Sequence, residues 1–172
     1  MSTNLNSGIR RVAFGVGVAL GLLATGAEAQ PNAKSPALTA AKGALFAVSV
    51  ADLDASVRWY TEKLGLDVTM RPPKFEKSTA VILEGGGLIV ELMHHDDAVP
   101  LTTAAPAIRE NYKVHGIFKA GVIVEDFHTA MAELRARGVP IVIGPFAATA
   151  QQRANAIIRD NEGNFIQLFG AR

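Results

Sequence analysis

In Gly85-Gly86-Gly87-Leu88-Ile89-Val90-Glu91-Leu92-Met93-His94-His95 a glycine turn gives way to an apolar strand. The glycines separate two strand-like runs, Thr79 to Glu84 and Leu88 to Met93, which is the pattern of a β-hairpin. Side chains alternate along a strand, so Ile89, Glu91, Met93 and His95 share one face. A carboxylate on such a face is costly to bury unless it is paired, hydrogen-bonded or bound to a cation. The triple glycine is not a phosphate loop, because a strand follows it instead of a helix.

Upstream, Ala44 to Val50 and Asp67 to Arg71 read as strands, the second ended by Pro72-Pro73. Between them Asp52 or Asp54 caps a helix that runs to about Leu64, with Gly65 as its stop. Leu53, Val57, Tyr60 and Leu64 fall at helical spacing and should face the sheet. The order is βαβββ, and it recurs. Gly121 to Val124 ends a strand, Asp126 caps a helix to about Arg137, and Gly138 stops it. Pro140 to Ile143 is a short strand, and Asn155 to Arg159 with Asn164 to Phe169 forms a hairpin about Asp160-Asn161-Glu162-Gly163. Val50 and Val124, Asp52 and Asp126, Val57 and Met131, and Tyr60 and Leu134 stand at one constant offset. One unit appearing twice implies halves that bury their faces against each other. The expected class is α+β, with modules at 44–95 and 115–170 in a single domain, 44–170. The connection, 96–114, is long enough for a lid or a plain crossover, and Ala105 to Tyr112 is expected to form a short helix.

The chain has 172 residues, with 17 Lys and Arg against 16 Asp and Glu. Its first 29 residues read as a cleaved secretory signal: Arg10-Arg11, an apolar stretch from Val12 to about Gly26, then Ala27-Glu28-Ala29. The apolar part is short of the roughly 20 residues that span a bilayer. Residues 30–43 form a linker. The reading is an exported protein, periplasmic or secreted, with no membrane association after cleavage. Losing two arginines and one glutamate balances the charge, so nothing points to nucleic acid. With no cysteine, disulfides, thiol nucleophiles and thiolate metal sites are excluded.

Val50-Ala51-Asp52-Leu53-Asp54-Ala55-Ser56-Val57-Arg58-Trp59-Tyr60, Leu64-Gly65-Leu66, Ile89-Val90-Glu91-Leu92, Arg159-Asp160-Asn161-Glu162-Gly163-Asn164 and Ile166-Gln167-Leu168 resemble the vicinal oxygen chelate superfamily. That superfamily includes glyoxalase I, bleomycin-resistance proteins and extradiol dioxygenases. The resemblance covers roughly Leu45 to Gly170 and implies a cup-shaped, mostly antiparallel half-barrel sheet, commonly in a homodimer. Its motifs mark the fold more than the reaction. In metal-using members ligands stand at four points, which fall here on Leu45, Glu91, Lys119 and Gln167. Leu45 cannot ligate, Lys119 brings a cation where a cation should bind, and Gln167 is a weak neutral donor.

The resemblance therefore implies a cup without the usual metal, in which Lys119 supplies the counter-charge to Glu91 beside Gln167. The expected ligand-binding set is Ser49, Glu91, Met93, Lys119, Gln167 and Phe169, with Leu45, Ala47, Ile89, Ile123 and Phe165 as apolar walls. The ligand would be a small acidic or carbonyl-bearing molecule. Glu91 and Lys119 are the candidates for catalysis, since a desolvated lysine can be a base or amine nucleophile. Binder and metal-free enzyme both stay open. The alternative is a divalent-metal lyase, isomerase or dioxygenase with an unusual ligand set drawn from Glu91, Gln167, His95 and His115. His95 and His115 each lie roughly 13 Å from their strand's Glu91 or Lys119, so they would form a separate rim site, aided by His94 or Asp96. His128 is expected to be solvated, and Trp59 to serve packing or an oligomer contact.

Overall fold

The computed structural model describes residues 45–171; the expected leader, 1–29, and linker, 30–43, lie outside the described residues. The first module is β1 (Leu45–Ser49), α1 (Leu53–Trp59, continued by a π turn over Tyr60–Leu64), β2 (Asp67–Met70), β3 (Ser78–Gly85) and β4 (Leu88–His95). The connection holds one helical turn, α2 (Leu101–Ala104), and a 3-10 turn at Asn111–Lys113. The second module is β5 (Lys119–Val124), α3 (Phe127–Ala136), β6 (Ile141–Phe146), β7 (Asn155–Arg159) and β8 (Phe165–Gly170). Each module makes a four-stranded mixed sheet, ordered β1-β4-β3-β2 and β5-β8-β7-β6, and the sheets do not close into a barrel. In both, the first and last strands run parallel and the other ladders are antiparallel.

The local chemistry explains the elements. Gly86 and Gly87 have φ of 57° and 81° between the paired residues Gly85 and Leu88, the double positive φ that a tight two-residue hairpin turn needs. Asp52 caps α1 by accepting from Ala55 N at 2.9 Å, and Asp126 caps α3 by accepting from Thr129 N at 2.9 Å. Gly65 and Gly138, both left-handed, end the two helices. From cap to glycine, the first helix is one residue longer than the second, and that residue is absorbed as the π turn.

The expected helix over Ala105 to Tyr112 is not formed. Pro106 disfavours helical backbone at Ala105, which sits at φ −142° and ψ 76°, so helix stops at Ala104.

Parity divides each sheet into a core face and an inner face. Val90, Leu92, Val81 and Leu83 meet Val57 and Tyr60 on the core side, and Ile166, Leu168, Ala156 and Ile158 do the same with Met131 and Leu134. These residues form one continuous core with the helices lying between the sheets. Each fully buried aliphatic side chain contributes about 1.5–3 kcal/mol.

The modules are joined by polar contacts as well. The turn between β7 and β8 docks on α1: Tyr60 Oη donates to Asp160 Oδ2 at 2.9 Å, and Asn161 Nδ2 donates to Ser56 Oγ at 2.9 Å. Glu162 Oε1 accepts from Ala51 N and Asp52 N at 3.1 and 3.2 Å. At the far end of the helices Lys63 Nζ donates to the Arg137 carbonyl at 2.6 Å. Among the described residues no helix is long and apolar enough to cross a membrane.

Candidate functional site

The inner face of the second sheet carries the clearest polar cluster. Lys119 pairs in register with Phe165, and Gln167 with Gly121 and Ile157, so Lys119, Phe165, Gln167 and Phe169 all project to the same side. The Lys119 ammonium donates to Gln167 Oε1 and lies 5.3 Å from the centre of the Phe118 ring. Gln167, buried, donates onward through Nε2 to Asn155 Oδ1 at 3.3 Å, and Asn155 Nδ2 donates to the Arg153 carbonyl at 3.1 Å. This relay of neutral amides holds a cation in place without neutralising it. Sequence reasoning misses Asn155, although the parity of the 155–159 and 164–169 hairpin puts it on the Gln167 face.

On the first sheet Glu91 is half-buried, in register with Ala47 on one side and Ile82 on the other. Ser49 and Met93 are register partners further along the same face. The expected pairing of Glu91 with Lys119 is not made: the ammonium goes to Gln167, and among the described residues Glu91 forms no ion pair. The physical reason is topological. Glu91 and Lys119 belong to different sheets whose core faces both look onto the helices, so their inner faces open away from that shared core.

The donor set does not fit a divalent cation. The register neighbours of Glu91 on both strands are apolar, and Gln167 already binds an ammonium. The histidines do not assemble a substitute site. Among the described residues no group of three or more His, Cys, Asp or Glu stands where it could share a metal. His94 Nδ1 meets the Val50 carbonyl at 3.1 Å, and its Nε2 lies 3.7 Å from Asp96 Oδ1. His95 Nδ1 accepts from Asp97 N at 3.1 Å, while His115 and His128 are exposed. The Asp96 carboxyl is held below its usual range, first by a hydrogen bond from Lys74.

A cavity of about 580 Å³ lies beside the inner face, under the connection, and contains neither Glu91, Lys119 nor Gln167. Among the described residues the polar cluster lines an open sheet and lies outside this cavity.

A paired βαβββ architecture with two open sheet faces is a scaffold on which the chemistry at the inner face varies, and here one face bears a lysine held by amides. The chain belongs to the Glyoxalase/Bleomycin resistance protein/Dioxygenase superfamily, whose profile matches residues 44–168. Among solved structures it resembles a glyoxylase/bleomycin resistance protein/dioxygenase domain from Frankia sp. EAN1pec, with 21% identity, TM-score 0.58, and 74% of this chain aligned to 89% of that one. It also resembles TnmS3, an antibiotic binding protein from Streptomyces sp. CB03234, with 20% identity, TM-score 0.56, and 77% and 97% of the two chains covered. A glyoxalase I variant from Zea mays aligns at 18% identity and TM-score 0.54, covering 73% of this chain and 43% of that one. At these identities the likeness is one of fold. None of the curated proteins compared matches.

Proposed function

We propose that the chain is an exported small-molecule-binding domain that works without the metal used by part of its superfamily. The ligand is a small acidic or carbonyl-bearing molecule held on the inner face by Lys119. One observation carries this reading: a half-buried ammonium is held by Gln167, itself held by Asn155, with no carboxylate paired to it among the described residues, so its charge is available to an incoming anion or carbonyl oxygen. Phe169 shares the inner face with Lys119 and offers apolar surface to the rest of the ligand, while Ser49, Glu91 and Met93 line the inner face of the other sheet. The likeness in fold to TnmS3, an antibiotic binding protein, is consistent with a binding role.

The same inner faces support self-association. Leu45 is 52% exposed, Met70 59%, Ile123 66% and Phe146 48%, and all four project from inner faces. A second copy would cover that apolar surface and could bring Glu91 of one protomer towards Lys119 of the other.

The test is a thermal-shift screen of small carboxylates and α-keto acids against the wild type and Lys119→Met. A ligand of the inner face raises the midpoint of the wild type and has little effect on the variant. Metal content of protein purified without chelator is measured in parallel. A stoichiometric transition metal that disappears in Glu91→Ala would overturn the metal-free reading in favour of a Lewis-acid enzyme.

A further inference from the structure

We propose that the cavity under the connection is a second ligand site, distinct from the Lys119 cluster, and that it takes an aromatic or branched carboxylate. It is enclosed by the 98–112 part of the connection, the ends of β1 and β4, and the β7–β8 turn. Its volume, about 580 Å³, is in the range that holds a small organic molecule.

The charges around it are unevenly satisfied. Both carboxylates that line it are already engaged. Glu162 accepts from two backbone amides at the start of α1. Glu110 has the Lys113 ammonium 2.7 Å from Oε2. The guanidinium groups are not engaged in this way. Among the described residues neither Arg109 nor Arg159 has a carboxylate partner, and the Arg159 guanidinium carbon lies over the Phe165 ring, 4.8 Å from its centre. The tautomer of His95 adds a donor. Because Asp97 N donates to Nδ1, the neutral ring carries its proton on Nε2. Two free guanidinium groups and an imidazole N–H form a donor set that matches a carboxylate, which arginine can hold through two parallel hydrogen bonds.

The remaining walls decide what the carboxylate is attached to. Val99 and Tyr112 are 58% and 56% exposed, and Leu101 is 39% exposed, although all three border the cavity. That apolar surface, with the Phe165 ring stacked beneath Arg159, suits a planar or branched hydrocarbon body and offers little to a sugar or a free inorganic anion.

Phenylacetate and its neutral counterpart phenylacetamide are the probes, titrated calorimetrically into the full chain, with Arg109→Met, Arg159→Met and Lys119→Met in parallel. Arg109 is exposed and makes no ion pair among the described residues, so its replacement should leave the fold intact. Phenylacetate should bind at least about tenfold more tightly than phenylacetamide, and each arginine variant should weaken it by about tenfold. Arg109→Lys should retain part of the affinity, and the arginine-dependent binding should persist in Lys119→Met, which removes only what the inner face takes up. Equal binding of the neutral probe, or no binding of the anionic one, overturns the proposal. Loss of phenylacetate binding in Lys119→Met alone also overturns it, while supporting the inner-face site.

Discussion

Tyr60 occupies the centre of the core with no exposed surface, and its hydroxyl reaches across to Asp160 at 2.9 Å. Burial pushes its phenol far above the ordinary 10.0, and the Asp160 charge and hydrogen bond push the same way. Folding therefore favours the protonated form, and stability is fully present below pH 10 and declines above it as the unfolded chain ionises. Tyr60→Phe keeps the ring and loses the bond. It should cost about 1–3 kcal/mol in denaturant unfolding at neutral pH with an unchanged m-value, and should flatten the alkaline decline. A variant as stable as the wild type would mean that the bond contributes nothing. The position of Tyr60 was legible from helical spacing, but its partner was not, because that partner lies 100 positions away. The same contrast holds for Lys119. Parity gave its face, yet whether it met Glu91 depended on how two sheets were disposed, which no local pattern records.

The two helices follow the same capping scheme with different interiors. At α3 the Asp126 carboxyl is held low by the Thr129 amide, then by the Thr129 hydroxyl, so its stabilising effect is present above the usual 3.8 and lost as pH falls through the lowered value. Asp126→Ala should lower the unfolding midpoint at pH 7, and the gap to wild type should close in acid as the native carboxyl protonates. A gap independent of pH would assign the effect to packing instead of charge. Both hairpins and the Asp126 cap could be read from glycine and aspartate placement, while at the first helix Asp52 and Asp54 both stayed open until the structure placed the cap at Asp52. The connection could not, because its composition resembled helix while Pro106 governed its backbone.

The molecule presents two inner faces whose apolar side chains have no cover among the described residues. Ile123, at 66% exposure, is a mild position for a charge in a monomer and a severe one in a buried interface. Ile123→Asp should leave the folded spectrum unchanged and convert a dimer to a monomer in sedimentation velocity. A wild type that is already monomeric at the same concentration would remove the dimer reading. The docking of the β7–β8 turn on α1 bears on how the chain comes to be folded at all. Glu162 accepts from the two amides just before α1, made 111 and 110 positions earlier. At the usual pace of synthesis, about 5–20 residues per second, that interval is roughly 5–20 s. For that time the first module exists as a nascent segment whose helix start lacks its distant carboxylate and whose Tyr60 lacks its acceptor. The contacts that hold the first helix to the second module therefore form only once the second half has arrived.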